Sequence, residues 1–280
     1  MKIDFVHIGI HKTASTFLQK KVFPEILGLQ VVNLDFDMYF YDNFIKKSSH
    51  RFNSESFLLE IENKLNSERA ESNILAISDE NLSGDIYSGR SSKELMLRIK
   101  ECFGDVKILI VLRNQVDYIL SAYSNYVLHG GSKTINCWIF EQETLFGEIF
   151  EKMHYSYMVK DYIELFGRDN VTVVLYEKMF ESEGGLSTFF QRFDLSFDIR
   201  TADKVNVGRS LFANHVFAIL NLFRIYKIKG IQRIFRLFPS GCSDRKKVKA
   251  LLLNYHESFN QDNSKLSSLL EISLPEVYFF

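Results

Sequence analysis

Cysteine is scarce in this chain. The 280 residues hold three, Cys102, Cys137 and Cys242, an odd number at wide spacing with no Cys-x-x-Cys pair. That excludes a disulfide scaffold and a structural zinc site, and it fits a reducing compartment. A dominant charge is missing too. Thirty-four Lys and Arg stand against 35 Asp and Glu, a formal net charge of −1, so the chain lacks the global basic field of a protein that coats nucleic acid. No apolar run approaches membrane-spanning length, and the strand pattern starts at Lys2 with no signal-peptide stretch before it. A cytoplasmic protein is expected. Repeats, low-complexity tracts, a convincing linker and a ligand cluster demanding a metal are also absent from the sequence.

What is present is a supply of apolar residues, 46% of the chain, sufficient for one large α/β domain with a sizeable core. Apolar strands alternate with helical patterns. Strands are expected near 29–34, 73–78, 106–112 and 170–176 besides the first, with helices near 54–66, 91–103 and 183–193. An aromatic, polar stretch at 35–53 is expected to cover the core as a loop or short helix. Residues beyond 121 read as mainly helical to Phe166, and those from Ser210 as helical again. This order implies a mostly parallel sheet with helices on both faces, where ligands sit at the carboxyl ends of the strands.

The most informative stretch runs from Val6 to Leu18. An apolar strand stops at His11-Lys12-Thr13-Ala14-Ser15-Thr16, and an apolar-periodic helix carrying Phe17, Leu18, Val22 and Phe23 is expected directly after it. Such a junction gathers unpaired backbone N–H groups at a helix start and sets a lysine, expected to be exposed, and hydroxyls beside them, which suits a phosphate. It is not a Walker A loop, because His11 stands where that motif needs glycine and no glycine lies between Gly9 and Gly28. A second junction follows the buried strand 106–112. There Arg113, at the strand's carboxyl end, and Ser121, eight positions later on the next helix, can converge on one anion.

Together these segments resemble the PAPS-dependent sulfotransferases, PAPS being 3′-phosphoadenosine 5′-phosphosulfate. Lys12, Thr13, Ala14, Ser15 and Thr16 match the family's 5′-phosphosulfate loop, with Ala14 where the family usually has glycine and His11 where many members have proline. Arg113, Asp117, Ser121 and Tyr123 fill its Arg-x-x-x-Asp-x-x-x-Ser-x-Tyr motif, whose arginine and serine hold the 3′-phosphate. The wording Arg-Asn-Gln-Val-Asp-Tyr-Ile-Leu-Ser-Ala-Tyr is closer still to the bacterial branch associated with surface glycans. The resemblance runs from Lys2 to about residue 215. It implies a single sulfotransferase-like domain over 1–280, with a motif-bearing P-loop-like core to about 215 and a helical C-terminal part from about 216.

It also implies a reaction: sulfuryl transfer from PAPS to a hydroxyl, most naturally of a carbohydrate or glycolipid precursor, with PAP as product and no metal required. Lys12 would stabilise the leaving phosphate. A carboxylate after a strand can act as base, and Ser78-Asp79-Glu80 places Glu80 where carbohydrate sulfotransferases carry a glutamate base, with Asp79, His11 or His129 as other candidates. Gly208 and Arg209, at the start of a late helix, could complete the 3′-phosphate site. Residues 222–238 hold five basic and no acidic residues, a pattern that packs on the sheet with a solvated basic face or lies on an anionic membrane. Two rival readings stay open: a P-loop-type nucleotide kinase, and a non-catalytic PAP- or nucleotide-binding scaffold. The acceptor and the oligomeric state are not legible.

Overall fold

The computed structural model describes residues 2–32, 37–65, 74–86, 89–146, 149–182, 185–196, 210–223 and 241–280. They fall into two compact units, one of residues 1–112 with 157–202 and one of 113–156 with 203–280. The first contains a five-stranded sheet in the order β2-β3-β1-β4-β5, formed by β1 (Phe5–Gly9), β2 (Leu29–Val32), β3 (Ile74–Asp79), β4 (Lys107–Leu112) and β5 (Val171–Leu175). Every pairing is parallel. The central strands are nearly continuous apolar runs because both faces are covered. Helices Ser54–Leu65, Ser92–Phe103 and Leu186–Gln191 belong to this unit, so the α/β class and the flanking helices are as the sequence implied.

One face of the sheet, carrying Phe5, Ala76, Leu109, Val111 and Val174, packs against the 17–26 segment and against Leu186, Phe189, Phe190 and Leu195. Elsewhere in the unit Phe40, Phe44, Phe52, Phe57 and Phe103 form an aromatic cluster. Buried Arg98 closes it. Its guanidinium donates to the carbonyls of Phe44 and Lys47, pairs with Glu94, and lies 4.5 Å from the centre of the Phe52 ring. The aromatic stretch thus covers the core, as expected, through the short helical pieces Asp37–Phe40 and Tyr41–Ile45.

The second unit is helical. Helix Gln115–Leu128 begins at buried Asn114, whose side chain accepts from the Asp117 N–H at 3.0 Å and donates to its carboxylate at 3.0 Å. Arg245 grips that carboxylate with two bonds of 2.8 and 2.7 Å. Buried Gln115 donates to Asn263 Oδ1 at 2.9 Å, and Asn263 donates to the Tyr278 carbonyl at 2.6 Å. Side-chain bonds therefore fasten helices Cys242–Leu251 and His256–Leu270 to the unit. Helix Leu211–Asn221, capped by Ser210, donates from Asn221 to the carbonyls of Val127 and Gly131, each at 2.7 Å. Its Phe212 and Ile219, and Phe223 beyond its end, are exposed. Residues 224–238, the rest of the basic tract, lie outside the described residues. Among the described residues no helix is long and apolar enough to cross a membrane.

One polar residue breaks the apolar pattern of β1. His7 is fully buried, bonded through Nδ1 to Ser78 Oγ at 2.8 Å, and burial pushes its pKa from 6.5 down to about 3. The folded chain keeps this imidazole neutral, whereas the unfolded chain protonates it below pH 6.5. Folding free energy from this group is complete above pH 6.5 and is lost as the pH falls towards 3, with a slope approaching about 1.4 kcal/mol per pH unit. Between pH 6.5 and 5 the wild type should lose about 1.6 kcal/mol more stability than His7→Gln. Denaturant melts across that range test this, and parallel stability curves would contradict it.

Candidate active site

Because β1 and β3 pair in register, Ile8 against Asp79, the residues that follow the two strands emerge side by side. After β1 the chain turns through Lys12 and Ala14 with φ of 69° and 68°, left-handed values that non-glycine residues avoid. Ala14 occupies the position where the resembled loop has glycine, and its backbone geometry explains that preference. Thr13 is fully buried, and both its N–H (3.2 Å) and its hydroxyl (2.5 Å) donate to the Ile10 carbonyl. Its side chain shapes the turn from inside. Ser15 is also buried, yet its Oγ has no hydrogen-bond partner among the described residues. A buried hydroxyl without a partner is costly unless something else supplies one.

Gly9 makes this arrangement possible. A Cβ there would sit 2.4 Å from Ser15 Oγ and 3.3 Å from the Glu80 Cα, so a side chain at residue 9 would fill the space the hydroxyl occupies. The helix expected after the turn is different in form. Three α-helical residues, Ser15–Phe17, lead into a wide π turn at Leu18–Val22 and a 3₁₀ turn at Phe23–Glu25. Pro24 provides the physical reason, since it lacks the N–H a continuing α-helix would need. The macrodipole of so short a helix is weak, and the site's positive charge rests on Lys12.

Lys12 is half-buried, not exposed on the turn as the sequence suggested. Burial lowers the pKa of its ammonium from the ordinary lysine value, and the Glu80 carboxylate acts in the opposite direction. Glu80 opens the 3₁₀ turn Glu80–Ser83 after β3 and is itself half-buried. Gln19, from the π turn, links the two segments: its Nε2 donates to the Ser78 carbonyl and to Ser78 Oγ, both at 3.1 Å, and approaches Glu80 Oε2 at 3.5 Å. Asp79 takes the capping position, its Oδ1 accepting from the Asn81 N–H at 2.7 Å and from the Asn81 amide at 2.8 Å. His11 Nδ1 lies 3.4 Å from Ser83 Oγ.

The structure therefore brings Lys12, Ser15, Glu80 and His11 to one end of the sheet, with Thr16 exposed beside them. Sequence reasoning missed Gly9, Gln19 and His7. A glycine ending a strand just before a lysine turn is a signal that was available for Gly9. The contacts of Gln19 and His7 depend on packing that no local pattern encodes.

The other predicted residues lie in the second unit. Arg113 directly precedes the Asn114 cap, and the Tyr155 hydroxyl donates to its carbonyl at 2.9 Å. Ser121 is half-buried on the helix that follows. Asp117, the acidic member of the motif, serves the helix start and Arg245. His129 is exposed at the helix end, its ring nitrogen 2.8 Å from the Asn125 carbonyl. Gly208 and Arg209 lie outside the described residues.

No protein-family model matches the chain, and no curated protein is similar to it in sequence. Among solved structures, a sulfotransferase from Alicyclobacillus acidocaldarius aligns over 98% of this chain and 98% of its own, with a TM-score of 0.56 and 16% identity. The chain has the sulfotransferase fold. At that identity the likeness concerns architecture alone.

Gly9→Ala tests the geometry of the turn. The added methyl must displace Ser15, whose Oγ would lie 2.4 Å away, and losing one well-placed bond to a charged group costs about 1.5 kcal/mol, or roughly tenfold in affinity. Calorimetry should show PAP binding weakened by that factor while a cooperative thermal transition is retained. Unchanged affinity would mean that Ser15 is not a ligand-facing group.

Proposed function

We propose that this protein is a PAPS-dependent sulfotransferase that acts on a hydroxyl acceptor of carbohydrate or glycolipid type. The observation that carries the reading is the buried Ser15 hydroxyl, unpartnered among the described residues, in a turn headed by a half-buried lysine. Together they make a polar, positively charged turn of the kind a phosphate satisfies. The resemblance of Lys12–Thr16 and of Arg113–Tyr123 to the two PAPS motifs supports the choice of donor, and the sulfotransferase fold is consistent with it. The wording of the second motif supports the surface-glycan branch. Thr13 weakens the rival kinase reading. A P-loop kinase needs the hydroxyl after its lysine on a magnesium ion, whereas this hydroxyl is buried against Ile10.

In this proposal PAPS supplies an activated sulfuryl group, and the protein's residues do the rest. Lys12 and the hydroxyls of Ser15 and Thr16 hold the 5′-phosphate, with Thr13 shaping the turn from inside and His11 and Ala14 lining it. As the bridging S–O bond breaks, negative charge grows on the phosphate oxygen, and the ammonium stabilises it more in the transition state than before. Preorganised donors of this kind are worth on the order of 10²- to 10³-fold in rate. Glu80 takes the acceptor's hydroxyl proton as that oxygen bonds to sulfur. Arg113 and Ser121 hold the 3′-phosphate, with Gly208 and Arg209 as further contributors.

Two experiments check the assignment. Removing the base by Glu80→Gln should lower turnover by roughly 10²- to 10⁴-fold and leave PAP affinity nearly unchanged; an unaltered rate would move the role to another group. Donor identity is tested by calorimetry with PAP and 5′-AMP. A charge-assisted bond to the 3′-phosphate is worth about 1.5 to 3 kcal/mol, so PAP should bind at least about tenfold more tightly than AMP, and Arg113→Ala should erase most of that preference. Equal affinities in the wild type, or tight ATP·Mg²⁺ binding instead, would contradict the proposal.

A further inference from the structure

On the sheet face that carries His7 and Ser78 lies a cleft of about 210 Å³. Phe23 and Pro24 of the 3₁₀ turn and Leu29, Val31 and Val32 of β2 form its apolar walls, and Gln19 and Ser78 are its polar members. The cleft adjoins the proposed base, since the amide nitrogen of Gln19 that bonds Ser78 also lies 3.5 Å from Glu80 Oε2.

Ser78 and the amide nitrogen of Gln19 are already engaged, which leaves the Gln19 amide oxygen as the one side-chain acceptor among the residues that line it. Ser78 Oγ is bonded to His7 and to Gln19, and the Ser78 carbonyl accepts from Gln19. A fully hydroxylated sugar ring placed here would leave several hydroxyls without partners, at about 1 to 3 kcal/mol each. An apolar group loses nothing and gains about 25 cal/mol for each Å² it removes from water. Size narrows the choice further. An engineered apolar cavity of about 150 Å³ takes one benzene, so 210 Å³ holds a single six-membered ring with a small substituent.

We propose that this cleft is an acceptor subsite, and that it takes a compact apolar group, one ring or a short branched chain, carried beside the hydroxyl that reacts at Glu80. The proposal rests on the sulfuryl-transfer reading for the word acceptor; the preference for an apolar occupant rests on the walls alone. A glycan acceptor would then bear an acyl, deoxy or aglycone group at this point.

The test uses 4-methylphenol as the probe and methyl glucoside as its hydroxylated counterpart, with ligand-observed NMR on the full chain and PAP calorimetry in parallel. The wild type should bind the phenol, and methyl glucoside should not displace it. Val31→Phe should weaken phenol binding at least about tenfold, a loss of about 1.4 kcal/mol, and leave PAP affinity unchanged. Leu29→Phe, on the same face of β2 as Val31, serves if Val31→Phe lowers the melting temperature sharply. PAP binding with no phenol binding, or with phenol binding equal in both variants and wild type, overturns the subsite and leaves the donor reading intact. Phenol binding without any PAP binding overturns the donor reading, and with it the assignment of the cleft to an acceptor.

Discussion

The site depends on one electrostatic constraint, a lysine ammonium drawn partly out of water beside a carboxylate that favours its charged form. Desolvation lowers the pKa of Lys12 and Glu80 opposes it, so the pair is sensitive to whatever enters between or beside the two groups. The sheet creates the pairing. Parallel register of Ile8 with Asp79 delivers both chain segments to the same end, and Gly9, lacking a side chain, lets Ser15 and the Glu80 backbone close in. Had residue 9 carried even a methyl, the hydroxyl of Ser15 could not occupy its present place. The neutral buried His7 and the amide of Gln19 extend the same arrangement inward through Ser78.

Much of this was legible in the sequence, for a physical reason. Buried parallel strands such as Lys107–Leu112 are almost wholly apolar, and candidate site residues then stand out where the apolar run ends, as Lys12, Glu80 and Arg113 do. Element boundaries fell within a few residues for the same reason. The pieces that were not legible depend on distant partners. Nothing local announces that Arg245 will grip Asp117 from 128 positions away, or that Gln115 will bond Asn263 across 148. The segment after Lys12 is helical and buries Phe17, Leu18, Val22 and Phe23 as its apolar spacing implies, but that spacing does not reveal its π and 3₁₀ turns. The left-handed conformation of Ala14 was hinted at only by the glycine that occupies its position in the family it resembles.

A turn that binds a phosphate does not by itself specify the chemistry performed there. Three features favour sulfuryl over phosphoryl transfer: the missing glycine before Lys12, the inward-facing Thr13 hydroxyl, and an arginine and serine after β4 spaced as in PAPS enzymes. The apolar cleft beside Gln19 bears on the acceptor in the same physical way. A pocket most of whose polar groups are already satisfied by one another selects against partners that bring more of them.

The central claim is that the Lys12 turn receives the 5′-phosphate of a 3′-phosphorylated nucleotide, and a crystal structure of the protein with PAP tests it most directly. The account predicts the 5′-phosphate within hydrogen-bonding distance of Lys12 Nζ and Ser15 Oγ, and the 3′-phosphate on Arg113. A nucleotide bound elsewhere, or one bound at the turn with its 3′-phosphate in solvent, would contradict it.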